Sequence, residues 1–90
     1  MRTRKIIREE IIIDDEYYYQ VIRYNIKKNR LEKKLTQQEL ADLTGYTRGY
    51  ICDIENQLRN KHFSLVALAR ISFALQKNIC DFFTYKNDST

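Results

Sequence analysis

Residues 36–56, TQQELADLTGYTRGYICDIEN, decide the fold. They read as one short helix, a tight turn and a second short helix. Thr36 suits an N-cap, and Glu39 completes a capping box in which each side chain satisfies a backbone N–H left unpaired at the helix start. Leu40, Ala41 and Leu43 then supply the buried side. Gly45 stands where a chain leaving a helix needs a left-handed residue, a conformation that glycine adopts without a Cβ clash. Thr47 caps the second helix, whose buried side is Ile51 and Ile54.

Counting from Gln37 as the first position, Ala41 is fifth, Gly45 ninth, Ile51 fifteenth and Ile54 eighteenth. Two steeply crossing helices need a small side chain where their backbones approach and a permissive residue in the bend. They also need branched apolar residues behind the second helix. All these needs are met at helix-turn-helix spacing, which a generic helical hairpin does not demand.

With these residues in place, the chain resembles the Cro/C1-type (XRE-like) helix-turn-helix domains of phage repressors and related bacterial regulators. The matching pieces are Arg30, TQQELA (36–41), Gly45, TRGY (47–50), ICDIE (51–55) and LVALARISFAL (65–75), and the resemblance covers about residues 20–83. It implies an all-α, five-helix, lambda-repressor-like DNA-binding domain. It also implies a largely buried ion pair between Arg30 and Glu55, which fixes the recognition helix against helix one. The chain departs from the family at Gln57, where a glycine is usual, at Phe63 in place of a proline, and at Gln76 in place of a helix-ending glycine. The link before helix four is one or two residues longer than usual.

Composition agrees with a helical domain. Ninety residues make one domain with an adequate core, and there is no proline and only two glycines. No apolar run is long enough to span a membrane, and Arg8, Glu9 and Glu10 interrupt any signal-like core behind Met1. Cys52 and Cys80 lie far apart and His62 is the single histidine, so neither metal nor cofactor is expected, and two free thiols suit the cytosol. The net charge of +4 is uneven: residues 1–19 carry −1, 20–63 carry +4 and 64–90 carry +1. The excess sits on the recognition region, as a polyanion partner would favour. With one histidine, no Gly-rich phosphate loop and no clustered nucleophile and base, an enzyme is not supported.

Outside the motif, residues 1–16 form an extension whose five isoleucines favour a short β-strand, with Ile7, Ile11 and Ile13 on one face and Glu9 among them. A helix is the alternative. Either form would cover the domain or meet a second chain, and a disordered arm is the remaining reading. The helix-turn-helix domain spans 17–84. Its first helix runs from Tyr17 to near Lys34 with Ile22, Ile26 and Arg30 inward, and at least one of Tyr17, Tyr18 and Tyr19 exposed. Ser64 caps helix four, with Leu65, Leu68, Ile71, Ser72 and Leu75 buried. Asn78 caps a short fifth helix anchored by Phe82 and Phe83, and residues 85–90 fray.

On the recognition helix, about residues 47–56, the inward isoleucines leave Thr47, Arg48, Gly49, Tyr50 and Asp53 outside. Arg48 can donate two bonds to guanine O6 and N7. Gly49 fits either close approach to DNA or simple tolerance, and Tyr50 can reach a phosphate or a thymine methyl. Asp53 can accept from cytosine N4 or orient Arg48 or Arg59. Gln37 stands at a helix start that attracts phosphate, and in the resemblance it also braces the recognition helix. Thr47, Asn56, Arg59, Asn60 and Lys61 complete the expected phosphate contacts. The expected protein is a cytoplasmic, nucleoid-associated repressor that binds double-stranded DNA as a homodimer, with the extension or the Phe82 to Tyr85 end as dimer surface. The alternative is an antitoxin or other interaction module that binds a partner through residues 1–16.

Overall fold

The computed structural model describes residues 4–7 and 11–85, and its element bounds follow from local chemistry. Strands β1 (Arg4–Ile7) and β2 (Ile11–Asp14) precede helices α1 (Tyr17–Glu32), α2 (Gln37–Thr44), α3 (Arg48–Glu55) and α4 (Leu65–Ala74), and a 3-10 turn (Ile79–Phe82) follows. Each of α2, α3 and α4 begins at a hydroxyl cap. Thr36, Thr47 and Ser64 accept from the backbone N–H of Glu39, Tyr50 and Ala67 respectively, each at 3.0 Å. The box at α2 is closed by Thr36 N–H donating to Glu39 Oε1 at 2.8 Å. Gly45 ends α2 with φ +81°, and its N–H donates to Ala41 O.

The core gathers the inward sides of all four helices. Ile26, Leu40, Ala41, Ile51, Ile54, Ile71 and Leu75 are fully buried, and Phe82 closes the end of the cluster. α2 packs on both α3 and α4, while α1 lies behind α3. Among the described residues no helix is long and apolar enough to cross a membrane.

Several expectations need correction. The extension is not one strand: β1 and β2 pair antiparallel, with Arg4 opposite Asp14 and Ile7 opposite Ile11. The isoleucines are thus divided between two paired strands, and Glu9 lies outside the described residues. α1 stops at Glu32, because Lys34 adopts a left-handed φ of 59° to turn toward α2. Leu43 is 60 % exposed and Thr44 is buried instead, since α2 turns residues 40, 41 and 44 inward. The Thr44 hydroxyl stays satisfied by donating toward Leu40 O and Ala41 O, at 2.9 and 3.1 Å. Leu65 is likewise 69 % exposed, and Ala67 takes the inward place. The fifth helix is a single 3-10 turn to which the Asn78 side chain gives no capping bond, and it is held by burial of Phe82 and by Asn25. Tyr85 packs edge-on against Tyr24 at 5.2 Å.

The left-handed cap yields a direct test. A Cβ at Gly45 would meet Arg70 Nη1 at 3.7 Å, an ordinary contact, so Gly45→Ala carries a backbone cost only. That cost is about 1–2 kcal/mol, and Tm by circular dichroism should fall by on the order of 5–10 °C. An unchanged Tm would show that the turn does not hold this residue left-handed.

Candidate nucleic-acid interface

α3 is held from behind and at its C-terminal end, which leaves its opening turns outward. Ile51 and Ile54 have no exposed surface. Glu55, the last helical residue, receives Arg30 as a fork: Nε donates to Oε2 at 2.7 Å and Nη2 to Oε1 at 2.9 Å. The third guanidinium nitrogen, Nη1, donates to Leu35 O at 2.7 Å. Both side chains are almost wholly buried. The Glu55 hydrogen bond raises the Arg30 pKa, outweighing the burial that opposes it. Gln37 Nε2 adds a bond to Glu55 Oε1 at 3.2 Å, so the first residue of α2 braces the end of α3.

A second clamp was not read from the sequence. Arg23 is fully buried, with Nη1 donating to Ile54 O at 2.8 Å and Nη2 to Lys61 O at 3.2 Å. It thus caps the carbonyl end of α3 and ties down the loop beyond it. Burial lowers its pKa, against the opposing charges of Glu16 and Tyr19. The available signal was spacing: Arg23 shares the helical stripe of Ile26 and Arg30.

Outward on α3, Thr47, Arg48 and Gly49 are exposed, while Tyr50, Cys52 and Asp53 are half-buried. Arg48 has no side-chain partner among the described residues. A Cβ on Gly49 would meet nothing nearer than Thr47 Oγ1 at 4.0 Å, so the chain itself has no need of a glycine there. Tyr50 is less free than expected. Its ring leans on Tyr46 at 4.7 Å and carries Lys61 Nζ at 5.7 Å from the centroid. Burial, and secondarily Tyr46, raise its phenol pKa. Asp53 pairs with Arg59 at 3.3 Å, which selects Arg59 over Arg48 as the arginine it orients.

The loop beyond α3 separates the remaining candidates. Asn56 Oδ1 accepts from Leu58 N–H at 2.9 Å, an Asx turn that shapes the loop. Asn60, at φ 51°, accepts from Gln20 Nε2 at 2.7 Å and is thereby committed to α1. His62 Nε2 meets Glu16 Oε2 at 2.6 Å and its ring stacks on Tyr19 at 4.1 Å, fastening the loop a second time. Arg59 and Lys61 keep their charged ends at the surface. An open groove of about 710 Å³ runs between α1 and the end of α3, bordered by Lys27, Lys28, Gln37, Cys52 and Asn56. Among the described residues no cluster of side chains could hold a metal ion.

An N-terminally capped helix bracing a second helix whose first turns face outward defines a DNA-binding domain of the helix-turn-helix class. The helix-turn-helix family profile matches residues 26–80, and the chain belongs to that family, in its Cro/C1-type, XRE-like form. It is a DNA-binding transcriptional regulator and not an enzyme. No curated protein matches the sequence closely. Among solved structures, the restriction-modification controller protein C.Esp1396I is 32 % identical, with TM-score 0.65, over 73 % of this chain and 83 % of that one. The controller protein C.AhdI from Aeromonas hydrophila is 26 % identical, with TM-score 0.63, over 76 % and 97 %. The clp gene regulator ClgR from Corynebacterium glutamicum is 26 % identical, with TM-score 0.64, over 72 % and 82 %.

The ion pair carries this geometry, and Glu55→Gln tests it. The substitution keeps the shape of the side chain but leaves a buried guanidinium without its counter-charge, a loss of about 3–5 kcal/mol. Thermal or urea unfolding should show a clear drop in stability. A melting curve superimposable on that of the parent would place the pair in solvent.

Proposed function

We propose that the chain is a repressor that binds a two-fold related operator as a homodimer, acting in the cytoplasm on the nucleoid. The first turns of α3 enter the major groove, and Arg48 reads a guanine. The observation that carries this reading is Arg48 itself, exposed and unengaged on a helix whose other side is locked in the core. Gly49 and the outer edge of Tyr50 lie beside it on the base-facing turns, and Gly49 gives room for close approach. Asp53 acts mainly by holding Arg59. Gln37, Thr47, Asn56, Arg59 and Lys61 contact phosphates on either side, with Gln37 also bracing Glu55.

Two further points support the reading. A variant of C.Esp1396I, 30 % identical to this chain over 74 % of its length, has been seen bound to its highest affinity operator site. One domain of this size reads only a few base pairs, so two half-sites about one helical turn apart (~34 Å) supply the specificity. A second reading, an interaction module with the extension as its arm, draws on the β1–β2 pair, which lies outside the helix-turn-helix segment.

Selection from random duplexes should therefore return a palindrome, and binding should fall steeply as salt rises. Arg48→Ala should relax the preference at one base pair of each half-site, a loss of about 1–3 kcal/mol of discrimination. Gln37→Ala should weaken all duplexes to a similar degree. If selection enriches nothing, the interaction-module reading takes its place.

A further inference from the structure

Cys52 stands one turn behind Arg48 on α3, at the spacing of four residues that brings helical side chains together. It is a half-buried free thiol, and it lines the open groove of about 710 Å³ between α1 and the end of α3. That volume suits a small molecule rather than a single ion. Gln37 and Asn56, which border the groove, have a use in the regulator reading, but the thiol has none. A cysteine alone is no site, so the walls around it decide what it can do.

Those walls are cationic. Arg23, Lys27 and Lys28 come from α1, and the one acid among the lining residues, Glu55, is already taken up by Arg30. Arg23 adds a sharper sign. It is fully buried, its Nη1 and Nη2 are held by Ile54 O and Lys61 O, and its Nε has no partner among the described residues. A buried N–H without an acceptor is costly. Nε is the donor that this arginine has left for an occupant of the groove. Tyr24 and Leu31 give the same groove an apolar side. The occupant that fits is an anion with a carbon body, and a thiol lies on the wall it would rest against.

Resting on the regulator reading above, we propose that Cys52 is a modification site for a low-molecular-weight disulfide that carries carboxylates. The Cys52 thiolate, its proton given to solvent, attacks one sulfur of that disulfide. A new S–S bond to Cys52 forms, the reagent's own S–S bond breaks, and its other half leaves as a thiolate that takes up a proton. Cys52 is oxidised and the leaving half is reduced. Arg23, Lys27 and Lys28 draw the carboxylates into the groove, an electropositive and partly open setting of the kind in which thiols react. The adduct lies along α3 against Arg48, engages its guanidinium and fills the space in which a DNA backbone would meet Gln37 and Asn56. Oxidation thereby turns base reading off, and a reducing thiol restores it.

The full chain is treated with oxidised glutathione, a disulfide rich in carboxylates, and separately with the cationic disulfide cystamine, and adducts are followed by intact mass. Cys52 is read in a Cys80→Ser chain and Cys80 in a Cys52→Ser chain. Cys80 is the more exposed thiol, yet it lies outside the groove and is followed by Asp81. The ratio of anionic to cationic rates should be about tenfold higher at Cys52 than at Cys80, and should fall as salt rises. Lys27→Gln combined with Lys28→Gln should remove most of that preference. The adduct should keep the circular dichroism of the parent, bind the selected duplex about a hundredfold more weakly, and recover on treatment with dithiothreitol. No adduct at Cys52, equal ratios at the two thiols, a ratio untouched by the lysine changes, an unfolded adduct, or an adduct that binds DNA as tightly as the parent would each overturn the proposal. A selective adduct in a protein whose parent selects no duplex supports the thiol site and removes the regulator.

Discussion

The position of α3 depends on one buried contact, the fork of Arg30 on Glu55. Removing two charges from water is costly, and attraction compensates only where the remaining hydrogen-bond capacity is also met. Here it is met: Arg30 reaches Leu35 O with its spare nitrogen, and Glu55 Oε1 accepts a second donor from Gln37. The pair therefore joins α1, the turn into α2 and the end of α3 through a single centre. Arg23 reinforces it one residue earlier, through Ile54 O. Both clamps act on the C-terminal end of the helix. Rigidity is supplied at one end so that the other can be offered to a ligand without collapsing onto the domain.

The loop after α3 shows how the chain does without the glycine and proline that its family uses there. Asn60 takes the left-handed conformation at φ 51°, which asparagine tolerates better than most residues. Its side chain is then fixed by Gln20. Asn56 turns the loop start, and His62 is held between the Glu16 carboxylate and the Tyr19 ring. Tyr19 also donates through its hydroxyl to Phe63 O at 3.2 Å. A backbone that two special residues would otherwise shape is here shaped by polar side chains from α1. Gln76 does the same after α4, with φ 57° where the family has glycine.

What could be read in advance was what is local. The capping box, the left-handed Gly45 and the isoleucine pair each depend on residues within a turn or two, and their spacing is visible in one dimension. The Arg30–Glu55 pair was reachable only through the resemblance, since nothing in the sequence alone links residues 25 apart. The misses are of the opposite kind. Leu43 and Leu65 are apolar, and hydrophobicity sent them inward, yet each helix has too narrow a buried sector to take them. Arg23 is charged and went unread, although its stripe is buried. In these cases the side chain's own preference was read where the helix's angular position decides. The β1–β2 pairing was not foreseen because the isoleucine-rich run carries no Gly, Pro or Asn to divide it into two strands.

The charges around α3 also bear on how affinity and discrimination divide. An acid on a face turned toward phosphates is repelled, so Asp53 would weaken binding if it stood alone. At 3.3 Å from Arg59 it forms a neutral couple, half-buried on its own side, while the arginine remains largely exposed. The couple costs the face one positive charge but restricts where that arginine can reach, so it trades non-specific attraction for position. Lys61 over the Tyr50 ring does the reverse, keeping a full charge at the surface on an aromatic support. Arg48 alone stands clear of both arrangements. On this chain Arg48 is left unengaged and the flanking cations are tethered, the division that a weakly cationic domain would need if, as proposed, Arg48 reads a base and sequence rather than bulk charge governs where it binds.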